Sequence, residues 1–390
     1  MAVTLSTQDM VVILKGMIAI ISKKSPRAIL HNVHVKLQNG KATFRATDLE
    51  RNLEISVDTE CDDNIEFLID PSIISRIFTK LVKREVYHVE LNVKDGFWIT
   101  KVEGKTKREY KFRILTAAAD YPLAPDCIFK GFTIGYNKWK ESIGKILPSV
   151  AKDKGRYALN GMLLESKTSG RIIFVGTDAK RLAIHKQKIT GKKKLKEQQA
   201  ILTTGFIKMV EKLSEKDELI KIGYEQNTGK PPESMLMKIQ RNHMTISLIC
   251  KTVKGNFPRW RDILPKNPPS TLHLDYEQMK NAIDDLFDYR TEEVAGSIFK
   301  INEPSKTLLM KHEKQKAEGG DSIAIQVPIN RLVGENEDRV SFDTIFLADF
   351  FKVLKGEETI IFEMFGKKVP SLFYNEDKSF TYLLSPVNLE

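Results

Sequence analysis

The chain has 390 residues, 41% of them apolar and 29% charged, with 22 Gly and 15 Pro. At roughly 150 residues per domain, that length and composition allow two or three domains with cores of their own and exclude a disordered chain. The 62 Lys and Arg against 51 Asp and Glu give a net charge of +11, which points to a polyanionic partner such as nucleic acid and carries no information on fold.

In chain order, the apolar N-terminal stretch MAVTLSTQDMVVILKGMIAIIS is broken by Asp9 and Lys15 and has helical spacing, so it reads as a strand and a helix rather than a leader or a membrane span. Short β-type runs then recur before helix starts: AVTL before Ser6, EFLI before Asp70, FTI before Gly135, AILT before Thr204, TLHL before Asp275 and TIFL before Ala348. These starts lie 64, 65, 69, 71 and 73 residues apart, a spacing that implies duplication. Each is followed by apolar residues at three- and four-residue intervals, as in Met10, Leu14 and Met17, or Trp139, Ile143 and Ile146. Ser6 with Asp9 makes a capping box, Asp70 precedes Pro71, Asp275 caps the fifth helix and Asn137 the third.

Between helices the pattern alternates as in strands, punctuated by Asn39-Gly40, Asp95-Gly96 and Ser169-Gly170. The unit is one strand, one helix and several antiparallel strands, an α+β pattern. Two proline-bearing joints, DYPLAPD (120–126) and FPRWRDILPKNPP (257–269), follow every second unit. They divide the chain into three domains, 1–126, 127–261 and 262–390.

No catalytic set emerges. GYEQNTGKP (223–231) has five residues between its glycines and Pro231 where a phosphate loop needs a hydroxyl. His31 and His34 fall on opposite faces of a strand-like stretch, and Cys61, Cys127 and Cys250 lack metal or disulfide spacing, so no metal and no cofactor are expected. Asp48 and Asp178 recur in ATDLER and GTDAKR; a turn-forming role outweighs a paired-carboxylate one. The protein is read as a non-enzymatic, cytoplasmic one in a reducing compartment, with no membrane partner.

The charge has a distribution. Residues 186–197 carry +5 and 305–316 carry +3, leaving +3 elsewhere, and both runs read as solvated loops. The helices offer Lys15, Lys23 and Lys24; Arg76, Lys80 and Lys83; Lys138, Lys145 and Lys152, with Arg156 beyond; Lys208 and Lys212; and Lys352. On one surface they would meet phosphates without reading bases. The fifth helix, with Asp284, Asp285 and Asp288, argues for an ordinary solvated face.

RYALNGMLLE (156–165), VGTDAKRLAIH (175–185), GNFPRWRDILPKNP (255–268), FLADFFKVLKG (346–356) and YLLSPVNL (382–389) each resemble, in order, segments of the bacterial DNA polymerase III β subunit family, the sliding clamps. ATDLE (46–50) and AADYP (118–122) extend the resemblance into the first third. It implies a DNA clamp fold: three similar domains with two inner helices and outer antiparallel sheets, closing as a head-to-tail homodimer into a pseudo-sixfold ring around double-stranded DNA without sequence preference. It also implies that the replicative polymerase, the clamp loader and other clients dock a short peptide in an apolar cleft. That cleft would draw on Leu159, Thr177, Arg181, Leu182, Pro258, Ile263, Pro370, Leu384, Ser385, Pro386, Val387 and Leu389. The dimer contact would join Tyr110 and Phe112 to Leu286, Phe287 and Tyr289. Three features depart from the family: Ser385 to Leu389 stands where it carries two methionines and an arginine, Asp262 where a cation is frequent, and its members are commonly acidic. The alternative is a clamp-fold nucleic-acid-binding regulator that tethers no polymerase.

Overall fold

A computed structural model describes residues 3–60, 64–82, 88–103, 107–115, 118–125, 127–152, 157–189, 196–226, 231–290, 296–313, 322–334 and 339–388. Six times over, the chain runs strand, helix, three strands. The first unit is β1 (Val3–Ser6), α1 (Thr7–Ile20), β2 (Val33–Gln38), β3 (Lys41–Thr47) and β4 (Arg51–Asp58). The second is β5 (Ile65–Ile69), α2 (Pro71–Val82), β6 (His88–Lys94), β7 (Phe97–Glu103) and β8 (Arg108–Arg113). The third is β9 (Phe129–Gly135), α3 (Tyr136–Ile146), β10 (Gly161–Ser166), β11 (Arg171–Thr177) and β12 (Arg181–Lys188). The fourth is β13 (Gln198–Thr203), α4 (Thr204–Leu213), β14 (Leu219–Glu225), β15 (Ser234–Gln240) and β16 (Met244–Lys251). The fifth is β17 (Ser270–Asp275), α5 (Tyr276–Asp288), β18 (Gly296–Asn302), β19 (Thr307–Glu313) and β20 (Ser322–Val333). The sixth is β21 (Arg339–Asp343), α6 (Thr344–Val353), β22 (Thr359–Met364), β23 (Ser371–Asn375) and β24 (Phe380–Leu384).

Local chemistry explains the helix starts. Ser6 Oγ accepts from Asp9 N at 3.0 Å while Ser6 N donates to Asp9 Oδ2 at 3.3 Å, the expected capping box. Asp70 accepts from Ser72 N at 2.9 Å and Asp275 from Gln278 N at 2.8 Å. Asn137 does not cap α3; its Nδ2 donates to Asp217 Oδ1 at 2.7 Å. The sixth unit also differs from expectation: TIFL is the first turn of α6, because Asp343 accepts from Ile345 N at 3.0 Å and opens the helix four residues before Ala348. Helix starts are thus 64, 65, 68, 72 and 68 residues apart, closer to an even repeat than the sequence suggested. Asn39-Gly40 and Asp95-Gly96 both have paired positive φ, as two-residue hairpins require. His31 lies in a single helical turn, not in β2, so it shares no strand with His34.

The opening strand of each unit joins the three strands of the neighbouring unit: β1 pairs with β6 and β5 with β2, β9 with β14, β17 with β22 and β21 with β18. The strand orders are β1-β6-β7-β8, β5-β2-β3-β4-β16-β15-β14-β9 and β13-β10-β11-β12-β24-β23-β22-β17-β20-β19-β18-β21. Backbone contacts gather the chain into two compact units, 1–137 with 202–252 and 138–201 with 253–390. In the first, α1 packs on α2 and α4, with Ile13, Leu14 and Met17 buried together with Phe44, Ile55 and Phe206. In the second, α5 packs on α6, and Ile283, Phe350, Phe362 and Phe373 are fully buried, the last two stacked at 4.5 Å. Among the described residues no helix is long and apolar enough to cross a membrane.

Candidate docking and nucleic-acid-facing surfaces

Strand register divides the proposed cleft residues between two faces of one sheet. Thr177 lies opposite Leu182, Leu182 opposite Leu383 and Leu383 opposite Leu372, so these four form a row across β11, β12, β24 and β23. Over this row and over Val175 and Ile184 sits the joint that follows β16, with Trp260 in the core cluster and Phe257 and Leu264 packed against it. The joint is pinned by Glu165 of β10. Trp260 Nε1 donates to Glu165 Oε1 at 3.1 Å, Arg261 donates to both carboxylate oxygens at 3.1 and 2.6 Å, and the guanidinium stacks 3.9 Å from the indole centroid. Burial alone would raise the Glu165 pKa, but these hydrogen bonds outweigh it and hold the carboxyl below its usual range.

The opposite face carries Arg181, paired across the ladder with Leu384, which in turn faces Ser371. Arg181 is 8% exposed. It donates to Asp178 Oδ2 at 2.9 Å, Asp349 Oδ2 at 2.7 Å, the Tyr382 hydroxyl at 3.3 Å and the Pro148 carbonyl, with its guanidinium 4.4 Å from the Phe346 centroid. Asp178 Oδ1 also accepts from Lys180 N and Arg181 N, and Asp48 accepts in the same way from Glu50 N and Arg51 N. Leu49 and Ala179 share φ values of 74° and 75°. The two Asp residues are turn formers at equivalent places in the repeat.

Burial corrects part of the cleft assignment. Leu182 and Leu384 are 0% exposed, and Thr177 and Arg181 are also buried, because the register turns them into the sheet's two packed faces; Leu159, in a short helical turn before β10, is buried as well. They would frame the expected cleft rather than line it. Within reach of solvent are Pro258 and Ile263 in the joint, Pro370 before β23, and Ser385, Pro386 and Val387 after β24. That last segment is held by Ser385 N donating to Lys180 O at 3.0 Å and Val387 N to Ser341 O at 2.8 Å. Leu389 lies outside the described residues. Glu165, Trp260, Arg261 and Asp349 were not singled out from sequence, although a lone acid inside GMLLES and a Trp-Arg pair in a proline-rich joint were available signals.

Of the basic residues, Lys15, Arg76, Lys80, Lys138, Lys208, Lys212 and Lys352 are exposed on their helices, while Lys23 and Lys24 follow α1 and Lys152 follows α3. Lys83 and Arg156 lie outside the described residues. Lys145 is a correction: it is buried, its Nζ donates to Glu141 Oε1 at 2.7 Å and it sits 5.7 Å over the Phe380 ring, so it offers no free cation to phosphate. On α5, Asp284 accepts from Lys280 Nζ at 2.7 Å.

Tyr110 and Phe112 stack at 6.2 Å along β8, the last strand of its sheet, and are half-buried. Leu286 is fully buried in the core of its own chain, so it cannot face a second copy; Phe287, 40% exposed, can. Tyr289 is half-buried, its ring edge-on to His312 at 5.8 Å.

Beside Lys145, His185 lies between Phe174 and Phe380, with Nδ1 3.0 Å from Ser142 Oγ and Nε2 3.8 Å from Glu141. Burial, and secondarily the Lys145 ammonium, push its pKa down to about 4 against the opposing pull of Glu141 and Asp377. The unfolded chain therefore takes up this proton first, so stability is present above pH 6.5 and falls as pH drops toward 4. We expect wild type to lose about 2.5 kcal/mol more than His185→Gln between pH 7 and 4.5 from this group. Urea midpoints at the two pH values measure it; equal losses would show that His185 is already charged in the folded state.

Six strand–helix units exchanging their opening strands in pairs, with cationic helices and a pinned joint on the sheet, define a clamp-type α+β protein. Residues 133–259 match the family model for the DNA polymerase III beta subunit, central domain. The beta sliding clamp of Haemophilus influenzae is 24% identical over 402 residues, covering 100% of both chains, and that of Proteus mirabilis 25% over 338 residues, covering 85% and 84%. The crystal structure of the DNA polymerase sliding clamp from Bacillus subtilis, 18% identical, shares the fold with a TM-score of 0.82 over 100% of both chains. Over its full length the chain is similar to bacterial beta sliding clamps and shares their fold, and residues 133–259 carry the central-domain pattern of that family.

Proposed function

We propose that the protein is a DNA sliding clamp: two copies close head to tail around duplex DNA, and clients dock at the edge formed by the joint and the segment after β24. The observation that carries this reading is a strand-pairing rule. The closing strands of the first and fourth units pair, β4 with β16, and so do those of the third and sixth, β12 with β24. The closing strands of the second and fifth units, β8 and β20, have no such partner among the described residues; Ser322–Pro328 of β20 pairs on one side only, with β19. A second copy supplies the missing pair at each end, and two such junctions close a ring. The rule also supports three domains, 1–126, 127–261 and 262–390, each made of two units.

In this reading, the exposed lysines and arginines of the helices meet phosphates through weak, salt-sensitive contacts, which break easily enough to permit sliding. Topology rather than affinity holds the ring on DNA. A polymerase bound at Ile263, Pro370 and Val387 then stays at high effective concentration near the primer end, with no chemistry performed by the clamp. The apolar rim accepts a leucine or aromatic anchor of a client peptide.

Sedimentation and retention test the proposal. The protein should sediment at twice 44.5 kDa. Rings closed by concentrating dilute protein around a plasmid should co-elute with it on gel filtration and be lost when a single restriction cut linearises it. Equal loss from circular and linear DNA, or a monomer at micromolar concentration, would favour a clamp-fold regulator that binds nucleic acid without encircling it.

A further inference from the structure

The first compact unit holds a groove of about 590 Å³ on the solvent face of the eight-stranded sheet. Its floor is a row in which Thr47 lies opposite Asn52, Asn52 opposite Ile249 and Ile249 opposite Leu236. This is the register of the row Thr177, Leu182, Leu383 and Leu372, two units further along the chain. In the later copy Trp260 and Phe257 cover the sheet. The earlier joint, DYPLAPD, keeps one aromatic, the buried Tyr121, whose hydroxyl accepts from Thr47 N at 3.2 Å at one end of the row, but has no tryptophan like Trp260, and Leu123 is 60% exposed there beside a half-exposed Phe129. Ile249 and Leu236 are left half-exposed as well, two apolar side chains on the solvent face of a sheet.

The next row supplies charge. Arg45, Glu54, Ser247 and Lys238 follow one another across β3, β4, β16 and β15. Arg45 Nε donates to Glu54 Oε2 at 2.7 Å, which neutralises both, whereas Lys238 is exposed and no carboxylate among the described residues pairs with it. The groove thus offers apolar contact of the size of one or two side chains, flanked by a cation about one strand-residue repeat away along the sheet.

We propose that this groove is a second peptide-docking site, which takes an extended segment of a client protein with a Leu or Phe anchor and an Asp or Glu beside it. The anchor fills the space among Leu123, Phe129, Leu236 and Ile249, and the carboxylate meets Lys238. The proposal rests on the docking role proposed for the later joint, of which this is the less covered counterpart, with Tyr121 closing only the Thr47 end. Each ring would then carry two docking sites per chain, allowing two clients, or two segments of one client, to be held together.

The test is titration of the full chain with a fluorescein-labelled eight-residue peptide in which Leu and Phe alternate with Asp, read by anisotropy and by stoichiometry. Two peptides per chain are expected. Leu123→Asp, an exposed change whose folding is checked by circular dichroism, should leave one; Lys238→Glu should weaken that site about tenfold, as expected for one charge-assisted hydrogen bond, and a peptide with Lys in place of Asp should restore it. Ile263→Asp should remove only the other site. One peptide per chain, lost in Ile263→Asp and untouched by Leu123→Asp, would overturn the second site and leave the first standing. One peptide lost only in Leu123→Asp would support the groove and overturn the later docking edge. Binding insensitive to both variants would overturn both.

Discussion

Replacing Trp260 with Ala is expected to lower the unfolding free energy by about 4 kcal/mol, the range for a large aromatic removed from a packed site. Trp260 is 5% exposed and touches the cluster of Leu182, Ile184, Leu372 and Leu383. Its indole also donates one of the hydrogen bonds that hold Glu165 ionised beneath the joint. Truncation leaves a cavity and removes the stacking surface of Arg261 together with the bond. Trp260→Phe should cost only about 1 to 2 kcal/mol, since most of the packing remains and the hydrogen bond is lost. Urea unfolding followed by circular dichroism gives the two values. Protease cleavage within 253–264 should accelerate in the Ala variant alone. A loss below 1 kcal/mol in that variant would mean that the joint is fastened elsewhere.

Arg181→Met is expected to cost about 3 kcal/mol, because a buried cation leaves two carboxylates, a phenol and a carbonyl that were arranged around it. Arg51→Met provides the comparison within the same chain. Arg51 stands at the equivalent place two units earlier and donates to Asp48 at 2.7 and 2.8 Å, but its side chain is 27% exposed and, among the described residues, lacks counterparts of Asp349 and Tyr382. Its loss should cost about 1 kcal/mol or less. Similar losses in the two variants would place the energy in the turn they share rather than in the buried network.

The repeat was readable because each unit opens with chemistry that acts over three or four residues, such as the bonds between Ser6 and Asp9 or Asp275 and Gln278. TIFL misled because Thr, Ile, Phe and Leu suit a strand by composition, and only the cap at Asp343 distinguishes them as a first turn. The docking edge was harder. Arg181 and Leu182 are adjacent in sequence yet belong to opposite faces of a sheet, and nothing local says which face the joint will cover. Resemblance brought both into one set, and register separated them. Lys145 shows the same limit for charge: its seven-residue spacing from Lys138 suggested a shared polar stripe, but Glu141 and Phe380 claim it once the helix lies on the sheet.

Exchange of opening strands between neighbouring units sets an order on synthesis. β1 ends at Ser6, but the strand it pairs with begins at His88, so it has no ladder to join until most of the second unit has left the ribosome. β9 waits in the same way for β14, and β17 for β22. The first unit of each pair therefore emerges with an unpaired strand at its head, whereas β5 and β21 find β2 and β18 already made; a pair of units, never a single one, is the smallest piece in which every opening strand finds its place. Ribosome stalling between the two units of a pair should expose that strand to chaperones, whereas a stall after the pair should not.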